Sequence, residues 1–190
     1  MLLRGNEIRW KNCNSPEQTH ASPVLSALSE PATSPAVQIE EFLSKYTPEL
    51  ATDARKMRSK MQRIVPGGVE FVYDNYNALV FGYGPTERPS EAVLSLALMP
   101  RWVTLCFLNG KSLSDPGGLL QGGGNKVRHV RLQAPVSLED PPIADLIQQA
   151  IRQATPQFGA ESARPRTVIK SISAKQRPRR PAKPRAKRAK

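Results

Sequence analysis

The sequence predicts an α+β domain of two layers, a mainly antiparallel sheet of about five strands packed against N- and C-terminal helices. Three observations carry that reading. Five short runs of strand character lie between residues 69 and 132, bounded by turn residues. Apolar residues recur at helical spacing on both sides of them, before Pro66 and after Pro142. The first four runs are joined by connections shorter than the crossover a parallel pair needs, so antiparallel pairing follows, with one face of the sheet on helices.

Phe42, Leu43 and Tyr46 mark a first short helix. Thr47-Pro48-Glu49 then supplies an N-cap, a proline at the first helical position and an early acid, so a second helix is predicted from Pro48 to about Val65. Its inward stripe is Leu50, Ala54, Met57, Met61 and Ile64 or Val65, with Arg55, Lys56, Arg58, Lys60 and Arg63 over the rest, and Pro66-Gly67-Gly68 stops it. The strand candidates are 69–73, 78–83, 92–99, 102–108 and 127–132, the third and fourth forming a hairpin around Pro100-Arg101. After Pro135, residues 137–142 introduce a last helix in which Ile143, Leu146, Ile147, Ala150, Ile151 and Ala154 fall on one face.

The predicted domain therefore spans residues 37–155. Residues 1–36 contain four prolines and scattered apolar side chains and read as a disordered leader, and residues 156–190 read as a disordered basic tail. The formal net charge of the 190-residue chain is +12, and its excess lies at one end. Residues 164–190 hold twelve Lys or Arg and no acid, whereas residues 1–163 hold sixteen of each sign. A polyanionic partner is thus expected at the tail, with Arg177, Arg179, Arg180, Lys183, Arg185, Lys187, Arg188 and Lys190 as non-specific nucleic-acid contacts. Deleting that tail is expected to cost the domain little stability. Cys13 and Cys106 make neither a disulfide framework nor a metal pattern, and no apolar run is long enough to span a bilayer. A reduced cytoplasmic protein without a membrane partner is expected.

Glycines and cations meet between two strand candidates at residues 105–132, LCFLNGKSLSDPGGLLQGGGNKVRHVRL. Gly122, Gly123 and Gly124 leave backbone amides uncovered just before Lys126, Arg128 and His129, the composition of an anion-binding nest. The spacing is not that of a Walker loop. Tyr73, Asn75, Tyr76 and Trp102 add aromatic rings and amides, and with the loop cations they are expected to receive a small anionic ligand.

The ordered set Leu113, Asp115, Pro116, Gly118, Leu119, Leu120, Gly122, Gly124, Lys126, Val127, Arg128, His129 and Leu132 resembles the signature of the YdhG-like domains, a bacterial family mostly of unknown function. The likeness extends over roughly residues 37–155, including Tyr73 to Phe81 and Pro100 to Val103. It implies the same α+β fold. Some members are described as frataxin-like iron chaperones, and by that analogy iron is the cofactor and Glu70 and Asp74 are metal ligands on the first strand. Catalysis is not expected, because His129 is the sole base candidate in the domain. The expected function is a non-catalytic binding module, with the iron chaperone and a tail-driven nucleic-acid-associated protein as alternatives.

Overall fold

A computed structural model describes residues 34–132, 138–159 and 164–180, all within the unit Ser34–Lys190. The leader up to residue 33 and the cations Lys183, Arg185, Lys187, Arg188 and Lys190 lie outside the described residues.

Helix α1, Pro35–Ser44, starts where Ser34 accepts from the Val37 N–H and Pro35 needs no partner for a missing one. Helix α2, Pro48–Ile64, repeats the device: the Thr47 hydroxyl accepts from the Leu50 N–H and Pro48 follows. Of its buried residues, Leu50, Ala54, Met57 and Met61 lie on the predicted stripe, and Ala51 widens it. Helix α3, Pro141–Arg152, buries Ile143, Leu146, Ile147 and Ala150. The strands are β1 (Val69–Asp74), β2 (Leu79–Gly84), β3 (Leu94–Leu98), β4 (Val103–Phe107), β5 (Arg128–Leu132) and β6 (Arg166–Ile172). Among the described residues no helix is long and apolar enough to cross a membrane.

The sheet runs β5-β4-β3-β2-β1-β6. All neighbours are antiparallel except β1 and β6, which are parallel. The class is therefore α+β as the pattern predicts, with six strands rather than five. The sixth comes from the segment read as disordered tail, and that reading is corrected here. Residues 166–172 carry Thr167, Val168, Ile169 and Ile172, which suit a pleated surface. They pair with the edge of β1 left open by β2.

Register and alternation sort the side chains into two faces. One inner row crosses Thr167, Glu70, Tyr83, Leu94 and Phe107; the next crosses Ile169, Val72, Phe81, Leu96, Leu105 and Val130; the third crosses Ile172, Asp74, Leu79, Leu98, Val103 and Leu132. Most of these pack with Leu43 of α1, Met57 and Met61 of α2, and Ile147 of α3 in one core. Each fully buried Leu or Phe there contributes about 1.5–3 kcal/mol from burial. Phe71, Gly82, Ser95, Cys106 and His129 share the outer face, beside a row of Tyr73, Val80, Ala97, Thr104 and Arg131.

The register also gives the sheet two ends. The upper end holds Val69, Gly84, Leu94, Phe107 and Arg128, and the lower end holds Asp74, Leu79, Leu98, Val103, Leu132 and Ile172.

Candidate functional site

The long connection from β4 to β5 is held by its own polar groups. Asp115 accepts from the N–H groups of Leu119 and Leu120 at 3.0 and 2.7 Å, which closes the Asp-Pro-Gly turn. The Gln149 amide of α3 takes both backbone groups of Ser114. Gln121 and His129 exchange a pair of backbone bonds at 2.8 and 2.9 Å, and the Lys111 N–H donates to the Lys126 carbonyl at 2.9 Å. Gly110 is required where the two ends of the loop cross, because a Cβ there would lie 2.5 Å from the Arg128 Cβ and 2.9 Å from its backbone nitrogen.

Within this loop Gly122, Gly123, Gly124 and Lys126 are exposed. Only Gly122 of the three glycines has a left-handed φ, +114°. The amides of Gly122, Gly123 and Gly124 donate to no carbonyl among the described residues. Arg128 turns back on the loop, donating from Nη1 to the carbonyls of Gly124 and Val127 at 2.6 and 2.8 Å, so its guanidinium braces the loop. His129 lies beside Gly122 on the outer face, opposite Cys106. Burial pushes the Cys106 thiol up to about 11, against a smaller opposing effect of its bond to Ser95. A thiol so poised is not a nucleophile near neutral pH.

Lys126 lines a cleft of about 300 Å³ at the upper end. Val93, Phe107, Leu108, Leu113 and Ala150 give it an apolar floor, and Ser90, Asn109, Gln153 and Thr155 give it polar walls. Glu91 also lines it, but its carboxylate accepts from Thr86 and Arg88.

The aromatic part of the predicted site lies elsewhere. Trp102 lines a second cleft of about 200 Å³ at the lower end, with Leu50, Asp53, Arg101 and Arg131. Tyr76 and Asn75 sit in the β1–β2 turn under the C-terminal segment, whose Arg177 N–H donates to the Tyr76 carbonyl at 2.9 Å. Tyr73 faces outward next to Ala78, Val80 and Ala97. The expectation of one site made of loop cations and these rings is therefore corrected, because the β-hairpins carry them to opposite ends of the sheet.

The expected metal ligands are also placed differently. Glu70 is fully buried and accepts from Arg58 (2.9 and 2.7 Å), Gln62 (3.0 Å), Tyr83 (3.1 Å) and Thr167 (2.7 Å). Asp74 is fully buried as well, with Lys45 at 2.5 Å, Gln176 at 2.6 Å and Arg179 at 2.9 Å. Each carboxylate already faces cations or neutral donors from its own chain, so binding iron would require displacing Arg58 from Glu70 or Lys45 and the buried Arg179 from Asp74. Among the described residues no group of three His, Cys, Asp or Glu converges as a metal centre would need. The residues do not fit iron.

The sequence pattern did not show these two clusters because their partners come from separate elements that only the fold brings together. Lys45 follows α1, Arg58 and Gln62 are one turn apart on α2, and Gln176 and Arg179 come from the supposed tail. Burial is also what raises the nearby phenols. It holds Tyr83 well above its ordinary value, aided by the Glu70 charge, and pushes Tyr46 up to about 12 although Arg179 opposes it. Tyr46 Oη donates to the Leu98 carbonyl and accepts from the Leu79 N–H.

Of the predicted nucleic-acid contacts, Arg179 is buried on Asp74 and also donates to the Asn75 carbonyl. Arg180 bonds the carbonyls of Tyr46 and Ser44, both at 3.0 Å, while Arg177 stays exposed. Arg179 is thus a structural anchor and not a free cation. No protein-family model, no curated protein and no solved structure matches this chain.

Proposed function

We propose that this chain is a non-catalytic binding module of YdhG-like type whose ligand is a small organic anion in the upper cleft. One juxtaposition carries the reading. Lys126, the first cation after the glycine run, lines a cleft of about 300 Å³ with an apolar floor, the lower end of the size range of small-molecule sites. The ammonium supplies the counter-charge, the amides of Gly123 and Gly124 lie just before it in the chain though outside the cleft lining, and Val93 and Phe107 favour a ligand with a hydrocarbon part over a bare inorganic ion. The Glu91 carboxylate on the same cleft is paired with Arg88 at 3.4 Å and accepts from the Thr86 hydroxyl.

The test is an amide-NMR titration of the full chain with butyrate and, separately, inorganic phosphate. Butyrate is expected to shift Gly123, Gly124, Lys126 and Val93, and Lys126→Gln to weaken it several-fold. Unmoved cleft amides, or equal affinity in Lys126→Gln, would remove the reading.

A further inference from the structure

The sheet register brings two turns, the end of β5 and the C-terminal segment to the lower end. The β3–β4 turn brings Arg101 and Trp102, the β1–β2 turn brings Tyr76, the end of β5 brings Arg131, and the segment after β6 brings Lys175 and Arg177. Arg101, Arg131, Lys175 and Arg177 are exposed, and none has a carboxylate partner among the described residues. Tyr76 is 51% exposed, so its ring is open to solvent. The Arg131 guanidinium lies 3.9 Å from the centre of the Trp102 ring, a cation–π contact that fixes its place on the surface.

We propose that this end of the sheet is a binding surface for single-stranded nucleic acid, formed by the folded domain itself. The arrangement has the two components such surfaces need, cations for the phosphates and rings on which unpaired bases stack. The strand order puts Arg131, Trp102 and Arg101 toward one edge, Lys175 and Arg177 toward the other, and Tyr76 between them. Five strand spacings make the end about 24 Å wide, room for roughly four nucleotides, the lower limit of site sizes in small single-strand-binding folds. The cations at this end are in excess of its acids: Asp74 is buried and paired, Glu49 stands in the first turn of α2, and Asp53 is the one carboxylate that shares the small cleft with Arg101 and Arg131. The chain leaves the described residues at Arg180 on this same end, with five more cations to follow in residues 181–190. Duplex DNA fits less well, because its bases are already stacked and offer Tyr76 and Trp102 no face.

The experiment is fluorescence polarisation with a labelled oligothymidylate and a duplex of equal length over a salt series. It uses the full chain, a chain ending at Arg180, and the variants Arg101→Ala/Arg131→Ala and Tyr76→Ala in each. The chain ending at Arg180 is expected to keep oligothymidylate binding in preference to duplex. The double arginine variant should lower the log–log salt slope by about 1.4, as for two lost single-strand phosphate contacts. Tyr76→Ala should weaken binding roughly tenfold, as for one lost stacked base. Circular dichroism checks folding, and Arg131→Gln with Arg177→Gln replaces the alanine pair if that pair unfolds. Binding lost entirely on truncation at Arg180, equal affinity for duplex, or variants that bind as the parent does would each overturn the proposal.

Discussion

Removing residues 164–190 separates two expectations that differ by about a third or more of the stability of a typical domain. As a disordered tail the segment would be dispensable. In the structure its loss strips the Arg179 guanidinium and the Gln176 amide from fully buried Asp74, and the Thr167 hydroxyl from fully buried Glu70. Breaking a buried pair costs about 3–5 kcal/mol, and the lower figure applies because Lys45 remains on Asp74. The Thr167 bond adds about 1 kcal/mol, and the β1–β6 ladder with the half-buried Ile169 at least as much again. The total is about 5 kcal/mol, set against the 5–15 kcal/mol that holds a typical domain together. Urea unfolding followed by circular dichroism would compare the full chain with chains ending at Arg180 and at residue 163. The first truncation is expected to match the full chain, and the second to lose about 5 kcal/mol or fail to fold. A chain ending at residue 163 that unfolds within about 1 kcal/mol of the parent would refute the reasoning.

Two further outcomes follow from single groups. Folding raises the Tyr46 phenol from 10.0 to about 12, so its contribution is fully present below pH 10 and is lost as pH rises toward 12, by about 2–3 kcal/mol. Urea midpoints between pH 8 and 12 should show that fall, and Tyr46→Phe should lower stability at neutral pH while flattening it; an unchanged alkaline slope in the variant would contradict the assignment. Gly110→Ala should cost about 1–3 kcal/mol because the new Cβ meets the Arg128 backbone, whereas Gly123→Ala, with no atom within 4 Å of its Cβ, should leave the thermal midpoint close to the parent's. Equal midpoints for the two variants would show that the loop crossing at Gly110 is not rigid.

The helices and five of the strands were legible because each announces itself locally. Thr47-Pro48 caps α2 as its residue types require, and the Met57 and Met61 stripe is buried where helical spacing puts it. Strand β6 escaped because its evidence is not local. Its β-branched run sits inside a segment dominated by Arg and Lys, and its partner β1 lies 97 residues away at the Thr167–Glu70 bond. The two carboxylates failed for a related reason. In β1 both faces are buried, so the alternation of Glu70 and Asp74 with Phe71 and Tyr73 gives no sign of which residues meet water. Net charge is a sum over the chain, but what a charge does depends on what faces it. The basic segment is the clearest instance: Arg179 neutralises Asp74 inside the fold, while Arg177, two residues earlier, remains exposed on the surface where Arg101 and Arg131 also lie. Structural anchor and candidate contact thus alternate within one short stretch of like residues, a distinction drawn by the path of the chain after β6, where the Arg177 N–H donates to the Tyr76 carbonyl and the Arg179 guanidinium reaches Asp74.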